Sequence, residues 1–225
     1  MKVTKKMSEK YSRPTVFEMM SALLMPIEFF NSVGRGIKGL SIDARKHKSE
    51  LIEALNAYYD IITQPSIDAA LKKDNTDYVT DCYTALLAYS TLSVGQFEEL
   101  YWPHLKKYLD QVIAANKTIY IYCESTMERF CEYFQDYPKG HIVMHLELDD
   151  PIQIRKKLPN VCLAGGMTTD LLGHGTSQQC IDKAKMLIDS LGSGYMMSQN
   201  KMMSFKNDCK RENLLALNEF LRNYR

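Results

Sequence analysis

The sequence predicts an α/β fold of about five strand–helix units that follow a helical preface. Three observations carry this. From residue 76 onward, short β-branched and aromatic segments alternate with amphipathic helical ones. The resulting order, β-α-β-α-β-α-β-α-β-α, implies parallel strands joined by right-handed crossovers. The strands are nearly all apolar, which suits strands covered on both faces. Two architectures share this pattern, a doubly wound sheet and a (β/α) barrel. The first usually opens its first helix with a glycine-rich turn, and no such turn is present. The second needs eight strands, and about five can be placed.

Residues 1–14 read as a flexible arm ending at Pro14, and 15–225 as a single domain, helical over 15–75 and strand–helix over 76–225. Apolar residues at 16, 17, 20, 23, 24, 27 and 30 have helical spacing, with a bend at Pro26. Gly34 to Gly39 reads as a loop. Residues 51–62 form a strong amphipathic helix with apolar positions 51, 52, 55, 58, 59 and 62; Pro65 interrupts it and the pattern resumes to 73. Residues 77–83 alternate and favour a strand. A helix follows over 96–113, kinked or restarted at Pro103. Strands are expected at 118–123, 141–146, 160–166 and 194–198. Helices are expected at about 126–136, 151–157, 177–190 and 211–221, the third capped by Thr176 or Ser177.

Composition excludes several function classes. Twenty-eight Lys and Arg against 27 Asp and Glu leave a net charge of +1, with no footprint for nucleic acid or an acidic membrane. No apolar run approaches the ~18 residues of a membrane span. At 45% hydrophobic and 24% charged residues, the chain is neither disordered nor fibrous. The polar N-terminus carries no secretory signal. Six dispersed cysteines without a CxxC pair point to a reduced cytoplasmic chain with free thiols.

In either architecture chemistry belongs at the C-terminal strand ends. Those ends carry Cys123-Glu124-Ser125, His145-Leu146-Glu147, Gly165 to Thr169, and Gln199-Asn200-Lys201. Cys123, Glu124, His145 and Cys162 are zinc-ligand types on neighbouring strands, and a zinc or thiolate site is one reading. The other makes the cysteines small strand fillers and the acids a solvated rim. Glu124, directly after a buried strand, suits a general acid or base, or a substrate-orienting group. Gly165 and Gly166 open a glycine-rich turn that could offer N–H groups to an anion, or simply turn the chain into a capped helix. His174 reads as a surface loop residue. Arg35 and Lys38 could hold a carboxylate or line a solvated loop.

The order of further motifs resembles the uroporphyrinogen decarboxylase superfamily. They are the segment 96–106, Tyr122-Cys123-Glu124, residues 137–140, Cys162 to Met167, Leu171 to Thr176, and Glu212-Asn213. Residues 34–43 resemble its methyltransferase-like bacterial branch. The resemblance implies a TIM-type (β/α)8 barrel, here partial, acting on methyl groups carried by a corrinoid or on porphyrinogen carboxylates. Glu124, His145 and Lys201 would then be catalytic, with Arg35, Cys123, Gly165, Gly166 and Gln199 binding substrate. Corrinoid or zinc would be the cofactor. The partner would be a small molecule, a corrinoid protein, a second copy, or a chain completing the barrel. Where decarboxylases of the family carry a histidine and zinc methyltransferases a cysteine, after the last strand, this chain has Lys201. Ile121 stands where the zinc type has a histidine. A non-catalytic remnant or half of a split barrel is the remaining reading.

Overall fold

A computed structural model describes residues 6, 9–10, 15–17, 24–73 and 78–224. The arm expected over 1–14 lies outside the described residues except for 6, 9 and 10, and so do residues 18–23 of the first expected helix. The chain forms two compact units, Met1–Tyr122 and Cys123–Arg225.

The first unit begins with α1 (Pro26–Phe29), which widens into a π turn at Phe30–Gly34. Helix α2 (Gly36–Lys46) follows. The loop expected over 34–39 is therefore mostly helix. Its three glycines lower helix propensity, but Arg35 donates to both carboxylate oxygens of Asp43, at 2.6 and 2.8 Å, and ties the helix start to its second turn. Next come α3 (Lys48–Tyr58), a π turn at Tyr59–Thr63, and α4 (Gln64–Leu71). Pro65 sits in the first turn of α4 and does not end the helical run. The same arrangement recurs downstream. A π turn at Phe97–Tyr101 follows α5 (Val94–Gln96) and precedes α6 (Trp102–Ala114), with Pro103 in the first turn. Proline lacks the N–H that a helix interior needs. A widened turn just before it takes up the missing donor without breaking the rod.

Strands β1 (Cys82–Leu86) and β2 (Ile119–Cys123) are almost wholly buried. The first starts later than the expected 77–83, of which residue 77 lies outside the described residues. The Asp81 carboxylate accepts from the Thr118 N–H and hydroxyl, each at 2.9 Å, and fixes where the ladder begins. Residues 78–80 are extended instead along Thr15 and Val16, whose carbonyls accept from Val79 and Thr80.

A buried carboxylate holds this unit together. Glu28, 0% exposed, accepts from the N–H groups of Leu87 and Ala88 at 2.7 and 2.9 Å. It also accepts the Tyr101 hydroxyl at 2.5 Å. Both amides open the 3₁₀ turn Ala88–Thr91 that follows β1. Helix starts leave N–H groups without intrahelical partners, and here a side chain sixty residues away supplies the acceptor.

The second unit carries β3 (Ile142–Leu146), α7 (Pro151–Lys157), β4 (Cys162–Met167), α8 (Thr169–His174), α9 (Ser177–Leu191), β5 (Tyr195–Gln199) and α10 (Arg211–Asn223). The helix expected at 126–136 is a 3₁₀ run, Glu128–Phe134. His174 closes α8, not a loop; it is exposed and lies 3.3 Å from Asp170. Thr176 and Gln179 form a reciprocal capping box at the start of α9. Strands β3, β4 and β5 are parallel neighbours. Among the described residues the strand order is β1-β2-β3-β4-β5, with β1 and β5 at the ends of an unclosed sheet. A core of Met167, Leu172, Cys180, Ala184 and Leu217 joins β4 to α8, α9 and α10.

Candidate functional site

The C-terminal ends of β3, β4 and β5 meet through two buried polar side chains. His145 is 6% exposed. Its Nε2 lies 2.8 Å from the Gln199 carbonyl and 3.0 Å from that of Asn200. Two acceptors at one nitrogen require that nitrogen to carry the proton. The ring reaches β5 by passing over β4 at Gly165. A Cβ there would lie 2.4 Å from the Leu146 carbonyl and 3.2 Å from the His145 ring. Gly165 also has φ +104°, where a side chain is strained. Gly166 leaves room for Pro151 and Leu187 in the same way. Both glycines expected to bind substrate are thus accounted for by close packing.

Asn200 is the second joint, and the sequence reading gave it no role. Its amide donates to the Glu147 carbonyl at 2.9 Å and accepts from the Thr169 N–H at 3.1 Å. Its own N–H donates to Met167. A polar residue directly after an apolar strand was the available signal. The glycines on either side of His174 are likewise architectural. A Cβ on Gly173 would lie 2.1 Å from the Asn207 carbonyl. Buried Asn213 donates to the Leu172 and Gly175 carbonyls, which gives the Glu212-Asn213 motif a purpose.

Around this frame stands the rim. The Ser125 N–H donates to the Glu147 carboxylate at 2.6 Å, and Ser125 has φ +65°. The Met127 N–H donates to Asp149. Glu124 is exposed beside them. Partial burial, and then the nearby Glu147 charge, raise its proton affinity above that of an ordinary carboxylate. Gln199 is half-buried and Lys201 exposed. Arg35 lies in the first unit, with its guanidinium on Asp43.

The four zinc-ligand types are not brought together. Cys162 opens β4, pairing with Val143, whereas His145 stands opposite Ala164. Cys123 is fully buried, and burial pushes its thiol well above the ordinary value. The Nε2 of His145 is a donor to carbonyls. Among the described residues no three His, Cys, Asp or Glu side chains form a metal-holding group. These residues do not fit a resident zinc.

A model of the uroporphyrinogen decarboxylase (URO-D) family matches residues 41–224. The chain belongs to the URO-D family. This URO-D chain is also similar to the solved structure of a methyltransferase from Methanosarcina mazei, with a TM-score of 0.64 at 15% identity. The match covers 97% of this chain and 63% of that one, so the likeness is one of fold and the URO-D chain spans less than two thirds of that structure. No curated protein matches it. The family and fold expected from the motifs are therefore correct: α/β units of a TIM-type barrel, in an open sheet.

His145 also gives this URO-D chain a pH response. Burial holds its imidazole below the ordinary 6.5, with the two carbonyls opposing that only in part. Below 6.5 the unfolded chain therefore binds more protons than the native one, and stability falls as pH drops through and below that value. Urea midpoints measured from about pH 8 to 5 should fall more steeply for the wild type than for His145→Gln. Parallel profiles would show that His145 is not the group responsible.

Proposed function

We propose that the chain serves methyl transfer, with Glu124 as the acid that positions and protonates the substrate. The observation that supports this is the placement of Glu124, solvent-accessible at the end of β2 and raised in proton affinity by burial and Glu147. A carboxyl whose proton affinity is raised can give its proton to the atom from which a methyl group departs. That atom keeps the bonding electron pair and would otherwise leave as an anion. Lys201, exposed at the end of β5, meets an anionic group of the substrate. His145 acts here as a positioning residue, because its donor nitrogen is committed to β5. The methyl acceptor is a corrinoid brought by a partner protein, a co-substrate in this reading.

Glu124→Gln keeps the shape of the side chain and removes the transferable proton. Methyl transfer from a panel of methylated amines and alcohols to added cob(I)alamin should fall about hundredfold in the variant. Unchanged turnover in a folded variant removes Glu124 from the mechanism.

The family match favours decarboxylation of uroporphyrinogen as the second reading. Holding several carboxylates needs several free cations. Of the candidate cations, Arg35 already has both carboxylate oxygens of Asp43, which leaves Lys38 and Lys201. Release of CO2 from uroporphyrinogen would decide for this reading against methyl transfer.

A further inference from the structure

Glu147 is bonded through its N–H, its carbonyl and its carboxylate. The N–H donates to the Cys123 carbonyl at 3.3 Å. The carbonyl accepts the Asn200 side-chain amide at 2.9 Å. The carboxylate accepts the Ser125 N–H at 2.6 Å. The next residue closes a bracket, because the Leu148 N–H donates to the Ser125 carbonyl at 3.2 Å. Residues 147–148 therefore hold the backbone on both sides of Glu124, at the carbonyl before it and at both polar groups of Ser125 after it.

Ser125 is where the chain needs holding. Its φ is +65°, a left-handed value that a residue with a side chain disfavours. The N–H bonded to Glu147 belongs to the planar peptide that follows Glu124. That bond thus fixes how the chain leaves Glu124. The bracket also reaches β5, since the Asn200 carbonyl lies 3.0 Å from the donor nitrogen of His145.

We propose that Glu147 is the positioning residue of the candidate site, a carboxylate that holds the chain around Glu124 and sets a fixed negative charge beside it. This rests on the reading of Glu124 as the proton-giving acid. A like charge nearby favours the form of Glu124 that carries its proton. Burial is the larger cause of that residue's raised proton affinity, and the Glu147 charge is the second. The bond to Ser125 keeps this charge from swinging away. Other charged groups surround the bracket. His145 faces Glu147 from β3. Asp149 accepts from the Met127 N–H, and Glu128 and Lys157, paired at 2.8 Å, stand around Asp149.

The test uses the 225-residue chain and the NMR resonance of the Glu124 carboxyl carbon, assigned by its loss in Glu124→Gln. Ser125 amide exchange is measured alongside. Glu147→Gln keeps an oxygen for the Ser125 N–H and removes the charge. The Glu124 titration should move to lower pH, stay above that of an ordinary carboxylate because burial remains, and leave the Ser125 amide protected. Glu147→Ala removes both charge and acceptor. It should move the titration the same way and speed exchange at Ser125 at least about tenfold. Asp149→Asn takes one charge from the same segment, and the Glu124 titration should stay in place. An unmoved titration in Glu147→Gln overturns the proposal, even if the alanine variant fails to fold. An equal movement in Asp149→Asn also overturns it, because net charge would then be the cause. Neither readout involves turnover, so a failure of the methyl-transfer reading and a failure of the Glu147 assignment are told apart.

Discussion

Replacing Glu28 with alanine should destabilise the chain by about 3–5 kcal/mol, because two buried donors and one partly buried donor lose their acceptor at about 1–3 kcal/mol each, partly relieved by relaxation. Those donors are the Leu87 and Ala88 amides and the Tyr101 hydroxyl. No water can replace the carboxylate without a polar cavity, and the residue is 0% exposed. Against a usual total of about 5–15 kcal/mol, the loss is a large fraction of stability. Glu28→Gln should fall between, since its amide oxygen still accepts while its NH₂ group faces donors. Tyr101→Phe removes one donor and should cost less than either. Urea unfolding of the three variants checks the order. A loss below about 1 kcal/mol for the alanine variant would mean that the carboxylate does not hold the turn after β1.

Gly165→Ala should be comparably severe for a different reason. Its Cβ would stand 2.4 Å from a backbone carbonyl, where no side chain can yield, and φ is +104°. Backbone strain of about 1–3 kcal/mol adds to overpacking of similar size. The clash falls on Leu146, next to the histidine that crosses to β5, so the strand ends should part and the His145 bonds should lengthen. Gly192→Ala is the matched control. It also has positive φ, +56°, but nothing lies within 4 Å of its Cβ. Denaturation midpoints should separate the two by more than about 2 kcal/mol. Equal losses would assign the whole effect to φ and none to the close approach. The His145 imidazole resonances, shifted in Gly165→Ala and unmoved in Gly192→Ala, give a second readout.

The strands were legible to within a few residues because a buried parallel strand needs nothing beyond a short apolar run. The helical preface was harder to read. Apolar positions 51, 52, 55, 58, 59 and 62 suit one continuous α-helix, yet the structure buries Leu51, Leu55, Tyr59 and Thr63. Ile61 and Ile62 are exposed, the first at 70%. The π turn rotates the stripe, and periodicity at 3.6 residues carries no sign of it. At the strand ends the residue types were found but not their employment. His145, Gly165 and Gly166 fall in the expected place, and they hold strands together. That depends on which atoms approach across β4, a long-range fact that local pattern does not contain. Glu28 was invisible for the same reason: a single acid in an apolar helix reads as a solvent-facing residue until its partners sixty residues on are known.

Trp102, the only tryptophan, lies at the start of α6, 6.2 Å from the Phe97 ring and next to Tyr101, the donor to Glu28. Its emission therefore reports on the first unit alone, and the second unit has no indole of its own. Fluorescence melts of this chain will follow the Glu28 latch and say nothing of the strand-end site. The far-ultraviolet signal follows both. A gap between the two midpoints, widened by Glu28→Ala and reversed by Gly165→Ala, would let one cuvette read the two halves of the molecule separately.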